Sequence, residues 1–238
     1  MTLSLLHCAP DEQTLATWAT RHRLLSPDGD FGYALHALLT AAFGDLSPQP
    51  FCYLGARQGL LAYTNQPPEQ LRDHAALATP DVAQALGLDH LATRNFPSAW
   101  RPGQVLNFEV RARPVRRTKD GRERDVFLHA VDAQPAALGL DRESIYAQWM
   151  GQQLAAQQAA ELMQIGMTAF RLSRVMRRTG PDAEGRRKSR AFSGPDAMFK
   201  GQLRIGDGEA FTRLLTRGIG RHRAFGFGML LLKPAHSC

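Results

Sequence analysis

The sequence predicts an α+β protein in two halves that repeat one order of strands and helices. Three observations predict it. Stretches with the two-residue period of strands alternate with stretches of helical period. A turn-rich segment, Phe96-Pro-Ser-Ala-Trp-Arg-Pro-Gly, interrupts the pattern. The charge changes sign across it: residues 1 to 100 hold 5 Lys+Arg against 9 Asp+Glu, and residues 101 to 238 hold 24 against 13. The 238 residues, 44% hydrophobic and 21% charged, suffice for a sizeable core and exceed the roughly 100 to 200 residues usual for one compact domain. Residues 1–95 and 96–238 are therefore read as two domains.

In the first half, Thr2 to His7 reads as a strand, and Asp11 to Arg23 as a helix after the break at Pro10. Ser26-Pro-Asp-Gly-Asp supplies Asp28 or Asp30 as an N-cap, after which Phe31, Leu35, Leu38, Leu39 and Phe43 recur at helical spacing until Gly44. Phe51 to Ala56 and Leu60 to Thr64 flank Arg57-Gln-Gly as a hairpin, and helices follow at Pro68 to Ala78 and Val82 to Leu86. In the second half, Val105 to Val115 and Val126 to Val131 read as paired strands, and Asp141 caps a long helix to about Met163. Met167 to Met176 and Met198 to Ile205 read as strands around a basic insertion. Glu209 to Arg217 is a helix, and Phe225 to Leu232 a closing strand. Each half thus approximates a ferredoxin-like (βαββαβ, RRM-like) unit, and the fold expected is two of them in tandem.

Several classes of function are excluded. No apolar run approaches the roughly 18 residues of a bilayer span, and the N-terminus lacks a basic region before an apolar stretch, so a cytoplasmic chain without a membrane partner is expected. Cys8, Cys52 and Cys238 form no CxxC pair, which indicates neither a disulfide framework nor a cysteine zinc site. No HExxH and no His/Asp cluster points to a metal, and no cofactor is expected. The net charge of +7 lies in the second half and implies a polyanion partner, nucleic acid before membrane.

Four stretches can carry chemistry. The segments Arg111 to Arg124 and Arg171 to Arg190 each resemble a basic hairpin, with turns at Lys119-Asp-Gly and Gly180-Pro-Asp, although a solvated surface accounts for either one alone. Gly218-Ile-Gly-Arg-His-Arg-Ala-Phe-Gly-Phe-Gly228 follows a helix and precedes a strand, the reverse of a dinucleotide or P-loop order. It is either a loop whose amides approach phosphates or a structural C-cap and bulge. Tyr33 and His36 lie three residues apart on one helical face, where both can address one ligand atom, although simple packing among apolar neighbours also accounts for this histidine, as it does for His22, His74, His90 and His129.

Phe31-Gly-Tyr-Ala-Leu-His-Ala-Leu-Leu, Ala99-Trp-Arg-Pro-Gly-Gln-Val-Leu-Asn-Phe-Glu-Val-Arg-Ala-Arg-Pro-Val-Arg-Arg and Arg217-Gly-Ile-Gly-Arg-His-Arg-Ala-Phe-Gly-Phe-Gly-Met-Leu-Leu-Leu together resemble the CRISPR repeat-processing endoribonucleases (RAMP type), most closely the CasE branch of type I-E systems, with type IV nucleases as relatives. The resemblance spans nearly the whole chain. It implies a tandem ferredoxin-like fold, and cutting of a precursor CRISPR RNA at the 3′ base of each repeat hairpin. It also implies retention of the mature RNA for delivery to other subunits of an interference complex. The family's catalytic tyrosine and histidine fall on Tyr33 and His36, its glycine loop on Gly218 to Gly228, and its groove-inserting hairpin on Arg171 to Arg190. His222 stands where the family commonly has glycine.

The chemistry expected is attack by the RNA's own 2′-OH on the adjacent phosphate, leaving a 2′,3′-cyclic phosphate and a 5′-OH, with no metal required. His36 is assigned to proton transfer and Tyr33 to orienting the hydroxyl, with Arg23 and Arg221 placed against the phosphorane charge. The residues expected to grip RNA are Arg23, Arg111, Arg113, Arg116, Arg117, Arg171, Arg174, Arg177, Arg178, Arg186, Arg187, Lys188, Arg190, Gly218, Gly220, Arg221, His222 and Arg223. The rival expectation is a catalytically silent subunit that only caps the RNA hairpin; a DNA-binding regulator is more distant.

Overall fold

Residues 3–134, 139–178 and 189–235 are described by the computed structural model. The first half runs β1 (Leu3–Cys8), α1 (Glu12–Arg21), α2 (Gly32–Phe43), β2 (Phe51–Tyr53), β3 (Leu60–Thr64), α3 (Pro68–Ala76), α4 (Pro80–Leu86) and β4 (Ala92–Phe96). Its strands pair antiparallel in the order β2-β3-β1-β4, that of a ferredoxin-like unit. Two-residue alternation explains how β1 serves two cores. Leu6 and Cys8 face α1, α2 and α4, while Leu3 and Leu5 face the second half. Tyr63 on β3 is buried in that same seam and donates its hydroxyl to the Leu230 carbonyl at 2.8 Å. Cys8 and Cys52 are buried free thiols, and burial pushes Cys8 up to about 12 and Cys52 up to about 11.

The second half runs β5 (Val105–Ala112), β6 (Val115–Arg117), β7 (Glu123–Asp125), α5 (Val126–Ala133), α6 (Arg142–Ala155), β8 (Ala160–Arg178), β9 (Ser189–Ile205), α7 (Gly208–Arg217) and β10 (Leu231–Pro234). Its main sheet has the order β10-β5-β9-β8, the first sheet's order repeated, and β6 and β7 form a separate two-stranded hairpin. The tandem ferredoxin-like, α+β architecture is therefore as expected. No described helix is long and apolar enough to cross a membrane.

Three local expectations are corrected. Val126 to Val131 is helix rather than strand, because Asp125 caps it, accepting from the Phe127 amide at 2.8 Å, and so overrides the β-branched run. The helix opened by Asp141 ends at Ala155 rather than near Met163, after which the chain turns through Gln157 and Gln158 at positive φ into β8. The closing strand is only Leu231–Pro234, since Phe225 belongs to a single helical turn and Gly226 and Gly228 adopt positive φ. The basic strands are longer than the sequence pattern indicated. β8 and β9 pair from Ala160↔Ile205 out to Arg178↔Ser189. The turn at Gly180-Pro-Asp, with Arg186, Arg187 and Lys188, lies outside the described residues.

Candidate active site

Helix α2 carries Tyr33 and His36 on its half-exposed side, while Ala34, Leu35, Leu38 and Leu39 are fully buried and lock its rotation. The expected N-cap is not formed in the ordinary way: Phe31 occupies the cap position without a side-chain bond. Asp30 accepts instead from the Gly32 amide at 2.8 Å. The preceding loop is stitched to β8, where Ser26 donates to the Arg174 carbonyl at 2.7 Å and Asp28 accepts from the Arg174 amide at 2.6 Å. The loop thereby ties the start of α2 to the long basic hairpin.

The Tyr33 and His36 rings lie 6.2 Å apart, and Phe225 of the glycine-rich segment packs on both, at 5.5 and 5.6 Å. Gly32 permits this approach, since a Cβ there would come within 2.3 Å of the Phe225 carbonyl. His36 is half-buried and its Nδ1 is buried without a hydrogen-bond partner. Burial lowers its pKa below 6.5, which favours the neutral imidazole a proton acceptor needs.

The glycine segment is closed on itself. Gly218 and Gly228 are both buried; the Gly218 amide caps α7 on the Leu214 carbonyl at 2.7 Å, and the Ile219 amide donates to the Gly228 carbonyl at 2.8 Å. Gly218 is thus a structural C-cap, one of the two alternatives the sequence left open for this loop. Gly220 packs against Trp149, where a Cβ would lie 2.9 Å from the indole. Arg221 and His222 converge on Glu123 of β7, at 2.5 Å (Nε to Oε1) and 2.6 Å (Nε2 to Oε2). Led by the His222 hydrogen bond, these contacts pull Glu123 down to about 2. Arg223 donates to the Arg217 carbonyl at 2.7 Å.

The arginines divide sharply. Arg111, expected on the RNA, lies in the seam. Its guanidinium forks onto Asp196 at 2.9 and 2.7 Å, reaches Asp30 at 2.7 Å, and stacks 4.3 Å above the Phe227 ring. Burial alone would lower its pKa, but Asp196 and Asp30 outweigh burial and raise it. Arg113, also expected on the RNA, is 2% exposed and bonds Ser173 within the protein, and burial lowers its pKa. Both are corrections: these cations hold the fold together because carboxylates and carbonyls of distant segments surround them. Arg171 remains largely exposed but shares Asp196 at 2.9 Å, and Arg174 pairs with Asp28 at 3.4 Å. Arg116 and Arg117 are exposed, with no carboxylate partner among the described residues. Together with Arg221 and Trp149 they line a depression of about 400 Å³. Arg23 is exposed just after α1, at positive φ. Arg177 and Arg178 face Arg190 and Ser189 across the β8–β9 ladder.

Residues the sequence pattern left unassigned are Glu123, Asp196 and Phe225. Only Phe225, inside the glycine-rich segment, carried any signal. The carboxylates carry no local signal because their partners lie 85 and 99 residues away in sequence.

A family model described as CRISPR associated protein matches residues 4–234. The chain belongs to the CRISPR-associated protein family. No curated protein matches its sequence. Solved structures do match this CRISPR-associated chain. Cse3 from Thermus thermophilus, bound to an RNA representing a pre-cleavage complex, is 19% identical over 98% of this chain and 100% of its own, at a TM-score of 0.65. Cas6e from Escherichia coli K-12 is 19% identical over 99% and 100%, at 0.56. A chain of a CRISPR RNA-guided surveillance complex is 18% identical over 98% and 100%, at 0.57. At these identities the likeness shows the fold.

Proposed function

We propose that this chain is a CRISPR-associated endoribonuclease that binds the repeat hairpin of precursor CRISPR RNA and cuts at its 3′ base. Residues 1–95 act as the unit carrying the proton-transfer rings and residues 96–238 as the cationic unit. The observation that carries this reading is the meeting of Tyr33 and His36 with Phe225, half-exposed at the seam of the two halves. It is supported by family membership and by full-length likeness to Cse3 held on a pre-cleavage RNA.

In the proposed reaction the 2′-OH next to the scissile phosphate gives up its proton as its oxygen bonds phosphorus. The bond to the 5′-oxygen breaks, and that oxygen takes a proton, leaving a 2′,3′-cyclic phosphate and a 5′-OH. Because Nδ1 of His36 is inaccessible, Nε2 is the nitrogen that exchanges protons with RNA. Tyr33 orients the attacking hydroxyl. The RNA supplies the nucleophile, so the reaction proceeds without a metal. Alignment of nucleophile, phosphorus and leaving oxygen supplies several kcal/mol, and a positioned base about 10²–10⁴-fold. Arg116, Arg117, Arg171, Arg174 and Arg221 present exposed guanidinium groups to RNA phosphates. The mature RNA then remains bound for assembly with other subunits of an effector complex.

The test is cleavage of a synthetic repeat hairpin in chelating buffer, compared with the same RNA carrying a single 2′-deoxy at the nucleotide before the scissile phosphate. The expected result is a cyclic-phosphate product from the first and none from the second. Binding without cleavage of either leaves the silent capping subunit as the reading.

A further inference from the structure

His222 adopts the left-handed conformation, φ 61° and ψ 26°, uncommon for non-glycine residues, although histidine, with Asn and Asp, enters it more often than most. The structure shows what anchors its side chain there. Its Nε2 meets Glu123 Oε2 at 2.6 Å, while the neighbouring Arg221 binds the other carboxylate oxygen at 2.5 Å. One carboxylate therefore clamps two successive residues of the glycine-rich segment from a hairpin almost 100 positions earlier in the chain. The clamped residue governs Phe225: the Phe225 amide donates to the His222 carbonyl at 2.8 Å, and the two rings lie 5.9 Å apart. Phe225 in turn bears on Tyr33 and on the edge of His36, and its carbonyl abuts Gly32 at the start of α2.

Resting on the endoribonuclease reading, we propose that Glu123 is a positioning residue: through His222 and Phe225 it holds the Tyr33 and His36 rings in register for 2′-OH attack. It need not touch RNA. The clamp is half-enclosed rather than on the open surface, with His222 13% and Glu123 28% exposed. The lowered pKa of Glu123 keeps the carboxylate charged across the working range. The hairpin that supplies it also bears Arg116 and Arg117, and Arg117 lies directly across the ladder from Glu123. A phosphate seated on those arginines is thereby linked to the geometry of the rings through one short strand pair.

The experiment measures single-turnover cleavage, hairpin affinity, thermal stability and the His36 ring-proton resonances of the full chain and of Glu123→Gln, Glu123→Asp, His222→Gly and the Glu123→Gln/His222→Gly double variant. Glycine accepts the left-handed conformation, so His222→Gly removes the imidazole without new backbone strain. Misplacing reacting groups by about 1 Å can cost on the order of 100-fold. Glu123→Gln and His222→Gly are accordingly expected to slow cleavage about 10- to 100-fold, with affinity within about twofold. Glu123→Asp is expected to lie between Glu123→Gln and the wild type. The double variant should be no slower than the worse single one, because both act through one contact. The His36 resonances should move in Glu123→Gln, since the Phe225 ring packed against His36 is released. Wild-type cleavage rates with unmoved resonances, losses confined to affinity, or losses that multiply in the double variant would each overturn the proposal. A wild-type protein that cuts no repeat RNA sinks the endoribonuclease reading and this role with it; a cutting wild type beside an equally fast Glu123→Gln sinks this role alone.

Discussion

The two halves of the molecule share one strand order and differ in what extends from it. In the first, the hairpin strands β2 and β3 have three and five residues; in the second, the corresponding β8 and β9 have nineteen and seventeen. The first half is acidic in net charge and brings the two rings; the second is strongly basic and brings the cations. Neither completes the site alone, since Tyr33 and His36 on α2 are seated by Phe225 of the second half. Repeating a topology does not repeat a function: the chemistry lies in what each scaffold carries at its edges.

A second contrast runs within one short segment. Arg111 and Arg113 turn into the seam, where Asp30, Asp196 and Ser173 meet them, whereas Arg116 and Arg117, past the end of β5, turn outward. Buried guanidinium groups stabilise a fold only while their partners persist, and exposed ones contribute little until a polyanion arrives.

These contrasts can be broken experimentally. The largest effect is expected from His36→Ala, which should lower single-turnover cleavage by about 10²–10⁴-fold while hairpin affinity in a gel-shift titration stays near wild type. Equal loss of both would erase the division of labour between the halves. Next, Arg111→Met takes the guanidinium fork from buried Asp196 and the contact from partly buried Asp30, leaving Asp196 only the exposed Arg171; breaking a pair of this kind costs about 3 kcal/mol, read as a lowered midpoint in chemical denaturation. An unchanged midpoint would place Arg111 with the outward cations. Arg116→Ala with Arg117→Ala should leave that midpoint within about 0.5 kcal/mol. The same pair should reduce the slope of log affinity against log salt by about 1.5. The smallest effect concerns pH. Because burial lowers the His36 pKa, the neutral base persists below pH 6.5, so the acid limb of kcat/KM should fall below that value. Glu123, held at about 2 against an ordinary 4.5, contributes stability that is complete above pH 4.5 and is lost as pH falls towards 2. The Tm–pH curve of Glu123→Gln should be flatter across that window.

Much of the fold was legible because periodicity, caps and turn residues are local signals. The helix of Tyr33 and His36 follows from its apolar spacing, and the β6–β7 hairpin from Lys119-Asp-Gly. Where local signals competed, the reading failed. Val126-Phe-Leu-His-Ala-Val has the composition of a strand, but Asp125 decides for helix, with Arg142 lying 4.1 Å over the Phe127 ring. Gly218 carried the signature of both a phosphate loop and a helix cap, and only its hydrogen bond to Leu214 distinguishes them.

By itself the sequence determined the two-unit α+β architecture, the concentration of positive charge in the second unit, and the pairing of a tyrosine with a histidine one helical turn apart. Each depends on residues near one another along the chain. Tertiary structure decided which arginines face solvent, that Glu123 clamps Arg221 and His222, and that Phe225 seats the rings. A carboxylate selects its partner by distance in space, and the chain brings Asp30, Arg111 and Asp196 together only when its two sheets close over a common core.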